Sequence, residues 1–362
     1  MTESDVQQSA PRVRFPGISP RAYEHPADKG AMATLRAVPG VGDVLKTLNS
    51  LFNERAERLV AVASYVRVSE TQFPVINRLH KESAEILDLP KLPKLYVARD
   101  PFPNAHTIGI DEPFIVLTSG LVEALDTEAL RFIIGHEQGH VLSGHAVLLT
   151  LLSRLLQLQR SVAWVPMGVI GLRAVIAALY EWQRKSELSC DRAGLLVSQD
   201  PAAALRAHMY LAGATDLSQI DIPSFLEQAK EYEEVEDIRD SIIKLLAVEQ
   251  KSHPFAVVRA SQLQKWAASE EYRAILAGDY KRRDAQDDEN PIKEDMAAAG
   301  KSYKESFTNS TDPLVKVLSD VGSALSGAAD RVFSGFRGRG GSGGGDQPPS
   351  DEDSNGDNGS SK

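Results

Sequence analysis

The chain has a single cysteine, Cys190, among 362 residues. An intrachain disulfide is therefore excluded, as is a metal site built from several thiolates, and a reducing compartment fits. The neighbours Ser189 and Asp191 offer no activating cation, so a buried, inert thiol is expected. Positive charge is also in deficit: 40 Lys and Arg stand against 50 Asp and Glu, a net charge of -10 and a pI near 5.4. Phosphate binding needs clustered cations, and no basic stripe interleaved with aromatics is present, which excludes nucleic acid as the main partner. Residues 1–17 have no basic start followed by an apolar run. No secretory signal is read there, and the expected location is cytoplasmic. A clean membrane span is missing as well. The most apolar stretch, 146–180, is interrupted by Arg154, Gln157, Gln159 and Arg160, then by Pro166 and Arg173. A spanning helix needs about 20 apolar residues, and a central arginine is costly in lipid. The stretch reads as a helical hairpin, either packed on the protein or lying peripherally on the inner face of the cell membrane.

What is present is mostly helical pattern. Residues 1–28 are polar and Pro-rich and expected to be loosely ordered. Residues 29–90 form an N-terminal helical region: Leu35, Val38, Val41, Leu45 and Leu48 recur at helical steps, a second helix is expected from Asn53 through Val68, and a third from Pro74 to Leu87. Three strands follow, Lys94–Arg99, Ala105–Ile110 and Phe114–Thr118, split by Pro- and Asp-containing turns. Asp126 or Thr127 can cap the next helix. The expected core runs over 91–284. Beyond it lie a linker with an amphipathic helix (285–337, with Leu314, Val317, Val321, Leu325, Ala328 and Val332 on one stripe) and a Gly/Ser/Asp-rich tail (338–362) that cannot bury enough to order itself.

The chemistry centres on His136-Glu137-Gln138-Gly139-His140. On a helix, positions i and i+4 share a face, so both imidazoles can reach one zinc ion. Zinc lowers the pKa of its water, and Glu137, one residue along, can take that proton and pass it to a leaving amine. Gly139 costs helix stability of roughly 1 kcal/mol, which predicts that something approaches the backbone closely there. A third ligand is needed from another element. Glu187 is the candidate, with Asp191 four residues on, on the same helix face, as a hydrogen-bond acceptor for a ligand histidine. An isolated acidic pair would merely solvate a helix; beside the histidine motif it reads as a ligand, Glu187, with an acceptor, Asp191, behind it. His145 follows His140 by five residues, which turns it about 140° away on a continuous helix, so a structural or rim role is expected. His25, His80, His106 and His208 carry no spacing signal and are given no role. His253 with Arg259 can bring a cation near the zinc to stabilise an oxyanion.

These residues resemble the zinc endopeptidases that include the HtpX-like quality-control proteases and the CAAX prenyl endopeptidases. Pro101-Phe102-Pro103-Asn104-Ala105 is similar to the family's turn before the strand edging the cleft. Ile115–Leu121 resembles the strand and turn leading to the active-site helix. His136–His145 matches the extended motif, Ser186–Asp191 the third-ligand helix, and Ser252–Arg259 a late His-Pro…Arg element. The resemblance covers about residues 70–270. It implies a gluzincin with ligands His136, His140 and Glu187, site-lining His253 and Arg259, and substrate bound by strand addition at Asn104 and Ala105. Cys190 departs from the small alanine usual before the aspartate, and the absence of clear spans favours a soluble or peripheral bacterial member over a prenyl protease.

The expected molecule is thus an α+β, mostly helical zincin-type metallopeptidase. A small sheet edges its cleft, one zinc is bound per chain, and its substrate is a protein or peptide. The competing readings are a non-catalytic zinc chaperone or adaptor, and a peripheral membrane scaffold.

Overall fold

The computed structural model of the protein describes residues 11–37, 54–161, 168–234 and 255–284. His253, the stripe at 314–332 and the tail at 338–362 lie outside the described residues. In chain order the elements are α1 (Pro26–Ala37), α2 (Glu54–Ser64), β1 (Val66–Arg67), α3 (Pro74–Ile86), β2 (Lys94–Ala98), β3 (Ala105–Ile108), β4 (Phe114–Thr118), α4 (Ser119–Ala124), α5 (Thr127–Leu142), α6 (His145–Ser161), α7 (Gly168–Ser198), α8 (Pro201–Ala212), α9 (Ile222–Glu234), α10 (Ala256–Ala267) and α11 (Glu270–Leu276). This is the mostly helical α+β architecture the sequence predicts.

The four strands form one sheet in the order β1-β2-β4-β3. β2 and β4 run parallel, with Tyr96 opposite Val116, while β1 and β3 pair antiparallel and form the two edges. Every residue of β4 is buried, as expected of an inner strand covered on both faces. The helix expected over Asn53–Val68 stops at Ser64. Val66 and Arg67 instead pair with Val97 and Tyr96, and the Val68 amide donates to the Leu95 carbonyl at 2.9 Å. β-branched residues at 66 and 68 suit that edge.

Two further expectations are corrected. Residues 11–28 are docked rather than loose: Phe15, Ile18 and Tyr23 are fully buried, and the Phe15 amide donates to the Ile86 carbonyl at 2.9 Å. The Ser19 amide donates to Lys281 and the Arg283 amide to Gly17, so this strap ties the start of the core to its end. Three apolar side chains in a polar segment were enough to anchor it. Second, the helix carrying His140 does not continue to His145. Gly144 takes a positive φ of 71°, and α6 leaves α5 at 89°. Glycine has no Cβ penalty in that region, so it ends the helix.

Among the described residues no single helix is long and apolar enough to cross a membrane, although α5 and the first part of α6 pass together as a bent pair. The arms of the expected hairpin, α6 and α7, pack through Leu151, Leu152, Leu155, Ile176, Leu179 and Trp182. Arg154, which argued against a span, is buried and grips Glu57 of α2 through Nε at 3.2 Å and Nη2 at 3.0 Å.

The crossing of α5 over α7 sets the position of the site. A Cβ on Gly135 would lie 2.6 Å from Val197 Cβ, and one on Gly139 would lie 2.7 Å from Ala193 Cβ. The predicted close approach at Gly139 is therefore α7, through Ala193 Cβ first and the Cys190 backbone next. Gly135→Ala would gain about 1 kcal/mol of helix propensity but incur about 1–3 kcal/mol of overpacking against a branched, immobile neighbour. A lower melting temperature is expected; an unchanged or raised one would contradict the tight crossing.

Candidate metal centre

α5 starts cleanly because Asp126 caps it, its Oδ1 accepting from the Glu128 and Ala129 amides at 3.0 and 2.9 Å. His136 and His140 then lie one turn apart on the face that α7 covers. With both backbones held close by Gly135 and Gly139, Glu187 and Asp191 of α7 arrive directly over the two rings. His136 Nε2 and His140 Nε2 are 3.2 Å apart, Glu187 Oε2 is 3.5 Å from the first, and Oε1 is 3.3 Å from the second.

This triangle tests whether the residues fit zinc. Two ligands about 2.0–2.1 Å from an ion at a tetrahedral angle lie about 3.3–3.4 Å apart. The three separations cluster at that value, and two imidazoles with one carboxylate form a donor set of the kind zinc takes. The same three residues form a group whose ligand atoms all lie within 4.8 Å of one another.

Around this triangle lies a buried polar shell. His136 Nδ1 donates to Asp191 Oδ1 at 3.0 Å, which fixes the ring so that Nε2 faces the triangle. Arg259 of α10 donates through Nε to Asp191 Oδ2 at 2.8 Å and through Nη2 to Oδ1, while its Nη1 lies 3.0 Å from Glu187 Oε2. All three guanidinium nitrogens thus face carboxylates, two of them Asp191 and one the ligand Glu187, so Arg259 is committed away from a substrate carbonyl. His208 of α8 completes the shell: its Nε2 is 3.3 Å from Asp191 Oδ2, and its Nδ1 donates to the Ala204 carbonyl at 2.8 Å. Sequence reasoning missed His208. Its only signal is one buried polar residue in an alanine- and leucine-rich helix, which spacing does not connect to Asp191.

Electrostatics follow from this packing. Burial would push the Asp191 carboxyl up, but the charges of Arg259 and His208 and the hydrogen bonds it accepts hold it well below the usual carboxylate range. Burial likewise opposes protonation of His136, but hydrogen bonds to Asp191 and Glu187 outweigh it and raise its pKa to about 9. His140 goes down because burial prevails.

Glu137 meets the sheet. Its Oε2 accepts a 2.6 Å hydrogen bond from Thr107 Oγ1 on the edge strand β3. Asn104 and Ala105 stand at the head of that strand, where the Asn104 amide donates to Thr118 Oγ1 at 2.8 Å. The residues named from the sequence on α5, α7 and α10 are therefore brought together, with Asn104 and Ala105 leading into the strand that touches Glu137.

His145 is corrected from a rim position to a buried one. It opens α6, its ring centroid is 5.5 Å from that of His140, and its Nδ1 is 3.5 Å from Cys190 Sγ. The bend at Gly144 returns it to the site. Cys190 is fully buried, as expected, and burial with the nearby Glu187 and Asp28 pushes its thiol pKa well up. Burial raises the Asp28 carboxyl to about 7, against the opposing hydrogen bond from Ser189. Between pH 4 and 7 the folded chain thus holds this proton more tightly than the unfolded chain, so the stability it contributes is full at low pH and drains as pH rises toward 7. The melting temperature of Asp28→Asn is expected to fall less than that of the wild type between pH 5 and 7.5; parallel curves would contradict the buried, protonated carboxyl.

Residues 70–267 match the model of peptidase family M48. The chain is 35% identical over 277 residues to the plastoglobule-localized metallopeptidase 48, chloroplastic, of Arabidopsis thaliana, covering 75% of this chain and 79% of the relative. It is 41% identical over 70 residues to a protease HtpX homolog of Helicobacter pylori (18% of this chain, 23% of the relative). With a protease HtpX homolog of Lactobacillus helveticus it shares 24% over 152 residues (40% and 47%). No solved structure matches the chain.

Proposed function

Because this chain belongs to peptidase family M48 and is a metalloprotease, we propose that it is a zinc endopeptidase in which His136, His140 and Glu187 hold the metal and Glu137 moves the proton. The observation that carries this reading is the meeting of His136 Nε2, His140 Nε2 and the two Glu187 carboxylate oxygens at separations of 3.2–3.5 Å, with Glu137 on the same helix turn. When bound, zinc supplies Lewis acidity, lowering the pKa of a water and polarising the scissile carbonyl. Glu137 takes a proton from the attacking water on a carboxylate oxygen and delivers it to the leaving amine nitrogen. Thr107 orients that carboxylate through its hydroxyl. Asp191 holds the His136 proton on Nδ1, and Arg259 and His208 hold Asp191 in place, so we read all three as positioning residues rather than as groups that touch substrate.

The substrate class is an extended polypeptide. β3 is an edge strand, and Thr107 in its middle contacts Glu137. A peptide added along β3 would run its backbone past the catalytic carboxylate, with Asn104 and Ala105 at the head of the added pair. The four central groups are each at most 1% exposed. Peripheral attachment to a membrane through the apolar α6–α7 hairpin is part of the proposal; recovery of the protein wholly in the soluble fraction would count against it.

The test is hydrolysis of an unfolded protein such as casein by the purified full-length chain. Cleavage that a chelator abolishes and zinc restores is expected. A protein that binds zinc yet cleaves neither casein nor itself at any pH is instead a zinc-containing chaperone, adaptor or scaffold.

A further inference from the structure

Beside the first ligand triangle lies a second cluster that the peptidase chemistry does not use. His140, His145 and Cys190 bring ligand atoms within 4.8 Å of one another, and all three are buried. Cys190 Sγ and His145 Nδ1 are 3.5 Å apart. A thiolate about 2.3 Å and an imidazole nitrogen about 2.0–2.1 Å from one tetrahedral ion would be about 3.6 Å apart. The far side of the imidazole is prepared as well. Asp28 Oδ2 lies 3.4 Å from His145 Nε2 and is itself fixed by a 2.6 Å hydrogen bond from Ser189 Oγ. In its ionised form Asp28, beside Nε2, favours the tautomer protonated there and leaves the Nδ1 lone pair facing the sulfur, the arrangement that accompanies metal-ligating histidines. Asp191 does the same for His136 from the opposite ring nitrogen.

We propose that Cys190, His145 and His140 form a second cation site, selective for thiophilic ions such as cadmium, zinc or copper(I), which adjoins the first site and shares His140 with it. Without an ion the thiol keeps its proton and the 3.5 Å contact is an S–H···N hydrogen bond. On binding, the ion forms bonds to sulfur and imidazole nitrogen and the S–H proton leaves to solvent; where the first site already holds one nitrogen of His140, the N–H proton of its other nitrogen leaves to solvent as well, giving a bridging imidazolate, so no oxidant or reductant is needed. A ligand imidazole common to both clusters lets an ion at the second act on the first without any change of fold. The inference does not depend on the peptidase reading, because the second cluster can bind an ion whether or not the first one catalyses.

Cys190 is the chain's only cysteine, so a thiolate-to-cadmium charge-transfer band in the ultraviolet reports this site alone. Cadmium is titrated into the zinc-loaded full-length protein, folded and in urea. A band that saturates at about one cadmium per chain is expected, at least about tenfold tighter in the folded protein than in urea and weakened about tenfold or more by His145→Gln. It is absent in Cys190→Ala and retained in Glu187→Gln, which removes a ligand of the first site only. The proposal is overturned by no band in the folded wild type, by equal affinity in urea, by indifference to His145→Gln in a variant whose circular dichroism is native, or by loss of the band in Glu187→Gln.

Discussion

Glu137→Gln is expected to keep the fold and the metal and to lose peptidase turnover by about 10²–10⁴-fold, the usual contribution of a positioned general base. The substitution keeps the shape of the side chain and an oxygen able to accept the Thr107 hydroxyl, so the packing at β3 survives. What disappears is the only feature the proposed role requires: a carboxylate that can hold the proton of the attacking water and return it to the amine. The three ligand residues are untouched, so zinc content should match the wild type. Measured on one peptide with metal analysis of the same samples, a fall in kcat at constant metal supports the assignment. Turnover within a fewfold of wild type would refute it, and loss of metal together with activity would show Glu137 to be a ligand instead.

Arg259→Met is expected to destabilise the metal-free protein by about 3–5 kcal/mol, the cost of removing one partner from a buried ion pair. Arg259 is 3% exposed and faces both Asp191 and Glu187. Without it, two carboxylates are left in a low-dielectric pocket, with the His136 and His208 rings beside Asp191. A divalent ion at the triangle would neutralise Glu187, so saturating zinc should restore part of the lost stability. Urea denaturation with and without zinc reads both effects. This distinguishes the positioning role from the oxyanion role that sequence spacing had put forward. An oxyanion donor would lose kcat with little change in the urea midpoint, whereas a positioning residue shifts the midpoint and lowers zinc affinity.

The parts of this molecule legible in its sequence are those where local pattern and chemistry coincide. The histidine pair declares itself by i,i+4 spacing on an apolar helix, and Gly139 announced a close crossing that α7 supplies. The strands at 94–98, 105–108 and 114–118 stand out by turns and β-branched residues. Glu187 and Asp191 were found because the chemistry required a third ligand and a partner for a ligand histidine, and their spacing supplied both. What stayed hidden depends on tertiary geometry. His208 reaches Asp191 only through the packing of α8, and Thr107 reaches Glu137 only across the sheet edge. Phe15, Ile18 and Tyr23 are anchors whose partners lie up to 265 residues away. The place of His145 is hidden for a local reason: the left-handed conformation of Gly144 ends one helix and starts another, so helical spacing does not carry across it.

The claim on which this account depends is that one ion is gripped by His136, His140 and Glu187. Zinc-edge X-ray absorption on the purified protein loaded with one equivalent tests it, repeated on His136→Ala, His140→Ala and Glu187→Ala. The account predicts a first shell of nitrogen and oxygen at about 2.0–2.1 Å in the wild type, with zinc lost or weakened in each variant. Zinc held equally well by all three variants would contradict it.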